Sequence, residues 1–263
     1  MTAFPQSRSH LSATLIRESF VSLAIATVIL LLWLLTIYGS LFLLPDARTL
    51  PIVVILAVIV GRSFLHTGLF IISHDAMHGT LVPASPLLND WAGRVILSLY
   101  SFLSFQKMRA CHQQHHRTPA QAEDPDFYPG SFWVWYFSFM RTYIEGKQGW
   151  IIFCGMSALF YPLLLWFHVP PLNAALFWLL PQAVSSCQLF YFGTYLPHKR
   201  PVGGYTNVHR ANSSEASRLW SFLRCYHFDY HWEHHQYPHL PWYKLPSMHQ
   251  AHQAATPKSA ERL

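Results

Sequence analysis

Residues 20–44 run for 25 positions without a charged side chain, and a chain with such a stretch has few ways to fold. In hydrocarbon every backbone N–H and C=O must be paired within the structure, so a single spanning segment is helical. Twenty-five helical residues cross a hydrocarbon layer of ~30 Å with some tilt. Residues 51–73 form a second candidate span, interrupted only by Arg62; residues 150–167 and 172–193 form a third and a fourth. Pro181 predicts a kink in the last of these. The connections at 45–50 and 168–171 are short, so the spans pair into two helical hairpins. Only 11% of residues are charged, against about 25% in an ordinary soluble domain. Residues 91–105, which contain Arg94, and the aromatic stretch 131–140 are too short to span and are predicted to lie along the membrane surface.

Histidines supply the second constraint. His112, His115, His116 and, 119 residues later, His231, His234, His235 are two copies of His-x-x-His-His. With 17 His in 263 residues, one such triplet is expected only ~0.07 times by chance, so a matched pair is a signal. On a helix, positions i, i+3 and i+4 share a face, so each triplet aims its imidazoles at one point. His74-Asp-Ala-Met-His78 adds a third group at i and i+4.

Span parity ties the two constraints together. If only the four long segments cross, all three histidine groups and both termini fall on one side of the membrane. A crossing at 91–105 would separate the first group from the second. Of 18 Lys and Arg, two precede the first span, six lie between the second and third, and eight follow the fourth. The positive-inside rule therefore puts the histidines and both termini in the cytoplasm, in a bacterial inner membrane or its equivalent. The fold class expected is an all-α integral membrane protein: four transmembrane helices in two hairpins, with a cytoplasmic helical cap carrying a histidine-rich metal site. One domain is expected over residues 1–263, with site regions at about 74–149 and 194–250.

The net charge of +6 suits this topology and anionic lipid headgroups. The basic residues form no compact run, so no nucleic-acid partner is expected. Cys111, Cys154, Cys187 and Cys225 form no C-x-x-C pair and imply neither a disulfide framework nor a zinc finger. The N-terminal apolar stretch is far longer than a signal h-region, and the tail after His252 is small, polar and expected to fray.

Neutral imidazole binds iron, zinc, copper and nickel, and Cys is absent from the three groups. Eight histidines and one more suit two metal ions. His198, in Tyr195-Leu-Pro-His198 just beyond the fourth span, is one candidate for the ninth; His227, four residues before His231, is another. Asp75, Asp124, Asp126, Asp229 and Glu233, with His227 and His239, are candidates to hydrogen-bond the ligating rings and fix their tautomers. His10, His66, His168, His209, His249 and His252 are read as surface or packing residues.

The three boxes on a four-span chain resemble the membrane fatty-acid desaturase and hydroxylase superfamily. The residues around them are similar to the bacterial-type β-carotene ketolases: His74-Asp-Ala-Met-His78-Gly79, His112-Gln-Gln-His-His116 with Asp124-Pro-Asp126-Phe127, Phe192-Gly-Thr-Tyr-Leu-Pro-His198, and His227-Phe-Asp-Tyr-His231-Trp-Glu-His-His235-Gln-Tyr-Pro-His-Leu-Pro-Trp242. The likeness runs from about residue 69 to 246. Residues 118–122 lack a glycine expected there, and Tyr243 stands where a second Trp is common.

The resemblance implies a non-haem centre of two Fe(II) ions held by His74, His78, His112, His115, His116, His198, His231, His234 and His235, with O₂ as co-substrate. It implies conversion of the C4 methylene of a β-ionone ring in lipid-dissolved β-carotene to a ketone, by two hydroxylations and loss of water (echinenone, then canthaxanthin). No flavin, haem or iron–sulfur motif occurs, so an external ferredoxin-like electron donor is expected to dock on the basic face. A carotenoid hydroxylase or fatty-acyl desaturase would use the same centre. A membrane metal carrier, the reading from a different class, would place ionisable ligands inside the spans; those spans hold only Arg62 and His66.

Overall fold

The computed structural model describes residues 8–255, with side chains from residue 12. The tail beyond 255 and the His10 side chain lie outside the described residues. The described chain is helical, with one isolated β-bridge between Ser213 and Tyr230. The helices are α1 (Arg8–Tyr38), α2 (Ile52–Met77), α3 (Pro86–Ser101), α4 (Phe105–Arg117), α5 (Phe132–Ile144), α6 (Lys147–Leu165), α7 (Pro171–Ala174), α8 (Leu180–Phe190), α9 (Leu196–His198), α10 (Arg218–Cys225), α11 (His231–Gln236) and α12 (Leu245–Ala255). They fall into two compact units. The first holds residues up to Arg109 with Tyr143–Ser185, and the second Ala110–Thr142 with residues from Ser186 onward.

Among the described residues, three helices are long and apolar enough to cross a membrane: Ser12–Leu43, Ile52–Met77 and Lys147–Leu165. They lie where the first three spans are predicted. The fourth predicted span is not one continuous α-helix. It runs from α7 through a π-helical turn at Ala175–Leu179 into α8 and ends in a second π-helical turn at Tyr191–Tyr195, with α9 just beyond it. Proline is one cause. Pro181 lacks an N–H, which frees the Phe177 carbonyl four residues back, and that carbonyl accepts from Arg62 Nε at 3.2 Å. The guanidinium also donates to the Trp33 carbonyl (3.1 Å) and Thr36 Oγ1 (3.2 Å) and lies 5.4 Å from the centre of the Trp33 ring. A buried arginine on an apolar helix is thus satisfied by backbone carbonyls, a hydroxyl and an aromatic face.

Within the first unit, Asn173 ties α7 to the first short connection. Its Oδ1 accepts from Ala47 N–H at 2.7 Å and its Nδ2 donates to the Pro45 carbonyl at 3.0 Å. Leu41, Ala47, Val169, Ala174, Phe177 and Trp178 close a buried cluster around that tie. The predicted surface segments are α3 and α5. Ser85 caps α3 by accepting from Leu88 N–H, with Pro86 at the first helical position. Asn89 Nδ2 donates to the Ala76 carbonyl at 2.9 Å, and Gly93 lies where a Cβ would strike Phe105 and Ala76, so α3 packs closely on the end of α2. In the second unit, Trp135, Tyr136 and Phe190 form one buried cluster, ringed by Phe127, Phe132, Phe139 and Tyr195.

Candidate metal centre

α4 carries His112, His115 and His116, and the six-residue α11 carries His231, His234 and His235. So short a helix needs outside support. Ser213 Oγ accepts from Trp232 N–H at 3.0 Å and donates to Glu233, satisfying a free amide and the acid at the first turn. His198 ends α9. His115, His198, His231 and His235 are buried and each offers a ring nitrogen, all within 4.8 Å of one another. His115 Nε2 is 3.1 Å from His235 Nε2, which is 3.1 Å from His231 Nε2. A neighbouring group lies alongside: His116 Nε2 is 3.1 Å from His112 Nε2 and 2.9 Å from His234 Nε2. The His116 and His235 rings stack at 4.1 Å and join the two groups.

The other ring nitrogens explain why these atoms face one another. His115 Nδ1 meets both oxygens of Asp124, at 2.9 and 3.0 Å. His198 Nδ1 donates to the Arg210 carbonyl at 2.9 Å, and His231 Nδ1 to the Phe228 carbonyl at 3.3 Å. Each partner is an acceptor, so Nδ1 carries the proton and Nε2 presents a lone pair. Lone pairs then point at lone pairs across ~3 Å, an arrangement that a cation at the meeting point satisfies. His198 Nε2 is buried without a hydrogen-bond partner among the described residues. The donor set therefore fits a metal ion held by neutral imidazoles.

Burial favours the same state. It pushes His198 and His235 well below the ordinary imidazole range and His231 to about 3. At His115 burial acts downward, but the hydrogen bond and charge of Asp124, helped by Asp126, turn the net direction upward. That carboxylate makes the imidazole a stronger base and hence a stronger ligand. Asp124 is itself pinned: Ala120 N–H donates to Oδ2 at 2.8 Å and Asp126 N–H to Oδ1 at 2.9 Å.

His74 and His78 lie in the first unit, on the last turn of α2 and at its C-cap, with ring centroids 4.9 Å apart. Asp75 is buried there, and its carbonyl accepts from the Thr80 N–H and hydroxyl.

The chain matches the fatty acid desaturase family over residues 48–262. A β-carotene ketolase from Paracoccus sp. (strain N81106 / MBIC 01143) is 39% identical over 251 residues, covering 94% of this chain and 97% of its own. One from Paracoccus sp. (strain PC1) is 39% identical over 233 residues, 87% of this chain and 92% of its own. This chain belongs to the fatty acid desaturase family, in the group that contains the β-carotene ketolases. A zeaxanthin 4-ketolase of Chlamydomonas reinhardtii is 38% identical over 247 residues, 89% of this chain and 54% of its own. No solved structure matches the chain.

Among the other residues singled out in this desaturase-family chain, the structure separates supports from bystanders. His227 Nδ1 is 3.1 Å from Ser221 Oγ, whose hydroxyl donates to Asp229. Burial lowers His227 to about 4 and raises Asp229, so the trio is a buried polar brace before the third box. His239 is exposed and its ring faces Tyr237. Asp126 is buried, and its carbonyl accepts from Trp135 Nε1 at 2.7 Å. Three supports carry no sequence signal. His249 is buried, 2.7 Å from Glu233 Oε1 and stacked on Tyr230 at 4.2 Å, although its sequence context reads as background. Ser213 and Arg210 act through contacts 20 and 12 residues away in sequence. His209 is 2.9 Å from Gln236, and His252 stacks on Trp232 at the surface.

Proposed function

We propose that this chain is a carotenoid 4-ketolase that converts the C4 methylene of β-ionone rings to a ketone, taking β-carotene to the mono-ketone and then the 4,4′-diketone. The observation that carries this reading is the near full-length similarity to β-carotene ketolases on a chain with converging buried imidazoles. We further propose that the ligand set is His74, His78, His112, His115, His116, His198, His231, His234 and His235, holding two ferrous ions. Bound iron would deliver electrons to O₂ and supply the oxidising power for an unactivated C–H bond.

The protein's part is to prepare the ligands. Asp124, and the carbonyls of Arg210 and Phe228, hold three Nδ1 protons so that the Nε2 lone pairs stay inward. Burial keeps His198, His231 and His235 neutral and excludes bulk water that would divert the oxidant. Four spans in two hairpins, with the cap and both termini cytoplasmic, give the substrate a route from the bilayer and put the site on the basic face. A ferredoxin-like donor would dock there. Residues 1–263 act as one catalytic domain.

The test is to supply purified protein with ferrous iron, O₂, an electron donor and either β-carotene or a saturated acyl thioester. Each ketone should add ~14 mass units, one oxygen replacing two hydrogens. A gain of ~16 units without further oxidation assigns a hydroxylase instead. Acyl desaturation with carotenoid untouched overturns the proposal. The similarity to a zeaxanthin 4-ketolase favours a second reading, in which 3-hydroxylated rings are also accepted; zeaxanthin in the same assay decides it.

A further inference from the structure

The chain between His198 and Asn212 leaves the ligand cluster and returns to it. Tyr205 Oη donates to the His198 carbonyl at 2.7 Å, the Arg210 carbonyl accepts from His198 Nδ1, and Asn212 N–H donates to the Pro197 carbonyl at 3.0 Å. Residues 199–211 are therefore a compact loop closed at its neck. Against it lies a cavity of about 700 Å³, lined by Lys199, Arg200 and Arg210 together with Phe127, Trp135 and Tyr205.

The charge in this cavity is one-sided. Among the described residues no carboxylate lines it and none of the three cations is ion-paired. Aromatic faces hold two of them instead: Lys199 Nζ is 5.7 Å from the Tyr195 ring, and the Arg210 guanidinium 5.6 Å from that of Tyr205. Three like charges around one concavity repel one another and draw in an anion. The wall is fixed at a cost in backbone strain. Ala120 and Arg210 line it at φ of 51° and 45°, left-handed values for residues with a Cβ, and Arg210 donates to the Ala120 carbonyl at 2.9 Å.

We propose that this cavity is a binding site for the phosphodiester head group of an anionic membrane phospholipid. The loop beside it has the chemistry of a bilayer-seated element. Its base is Lys199 and Arg200, and its outer part is the fully exposed Val202 followed by Gly203 and Gly204, with Val208 exposed beyond. A basic base under an apolar tip is the pattern that places cations at headgroup depth and apolar side chains among the acyl chains. The loop also follows directly on residues 171–198, the segment in which the fourth span is predicted. An acidic protein partner would make use of the cations but not of the apolar tip. The aromatic walls suit the glycerol and first acyl carbons beside a phosphate.

The shared chemistry is a phosphate anion, so the experiment separates lipid from free ion. The full-length iron-loaded protein is placed in nanodiscs of phosphatidylcholine with phosphatidylglycerol, and the lipids retained on release are counted by native mass spectrometry. Phosphatidylglycerol should be retained about tenfold above its mole fraction, and Lys199→Gln with Arg200→Gln should abolish that enrichment. Both side chains are exposed and, among the described residues, make no hydrogen bond on which the fold depends. Val202→Asp, which leaves every cation in place, should weaken retention as well. Equal retention of the two lipids, or enrichment untouched by the double substitution, overturns the proposal. So does release of the lipid by millimolar inorganic phosphate with Val202→Asp silent, which would assign a free-anion site. Protection of the Lys199 amine from acetylation by an acidic protein but not by phosphatidylglycerol would assign a protein partner and also overturn it.

Discussion

His115 Nδ1 lies 2.9 and 3.0 Å from the two carboxylate oxygens of Asp124, with both side chains buried. The pair joins the second histidine box to the loop that follows it, and the loop repays the contact through the amides of Ala120 and Asp126. A carboxylate so held fixes the ring's rotation and its tautomer together.

Asp124→Asn should therefore weaken iron binding without emptying the membrane of protein. The amide keeps one acceptor oxygen but loses the charge and presents an NH₂ that cannot receive the His115 proton or both amides. Removal of such a partner typically costs 10–100-fold in metal affinity. Iron titration followed by colorimetric chelation reads the change directly. Wild-type affinity in this variant would show that Asp124 is not what makes His115 a ligand.

A second expectation concerns His249. With its partner Glu233 1% exposed, His249→Ala leaves a buried carboxylate short of one hydrogen bond, a defect worth about 1–3 kcal/mol. Thermal unfolding should fall and ketone yield with it, whereas His249→Gln, which can still donate, should recover part of both. His252→Ala is the control, since that ring is exposed on Trp232. Equal melting temperatures for the two alanine variants would remove His249 from the support of α11.

That contrast marks where the sequence was readable. Box histidines reveal themselves because i, i+3, i+4 spacing is written in the local chain, and three long apolar helices because runs with at most one charge are local too. His249 and His252 differ by three residues and share composition, yet one meets Glu233 and the other faces outward; only tertiary packing separates them. The same holds for Ser213, which caps α11 from 19 residues away, and for Arg210, which serves His198 through its carbonyl, so that its side chain says nothing. The fourth predicted span was legible as apolar but not as continuous. Pro181 marks a break in the α-helical ladder, and the carbonyl it frees, that of Phe177 in the first π-helical turn, is met by Arg62 from more than a hundred residues away, a partner the local sequence does not show.

Gly193→Ala is expected to disturb the third box from a distance. A Cβ there would overlap the Phe228 ring, whose carbonyl receives the His231 Nδ1 proton and whose ring packs 5.5 Å from that of His231. Overpacking of a filled site costs about 1–3 kcal/mol, and here the displaced group carries a ligand. Adding Phe228→Leu should restore room, so the double variant should be more stable and more iron-competent than Gly193→Ala alone. Strictly additive losses across the pair would mean the glycine is not there for Phe228.

The ninth ligand gives the sharpest division. His198 Nε2 is buried among the nitrogens of His115, His231 and His235, while the His227 ring stacks on Tyr230 and its Nδ1 contacts Ser221. If His198 ligates, His198→Ala should lower bound iron from about two ions per chain to about one, because a site that loses one of few protein ligands loses most of its affinity. His227→Ala should keep about two ions yet melt earlier, since Ser221 and the buried Asp229 lose part of their network. Iron per chain by plasma mass spectrometry, paired with a melting curve, reads both properties from one preparation. The reverse pattern, iron lost with His227 and retained without His198, would move the ligand from α9 to the turn before α11 and break the nine-histidine assignment.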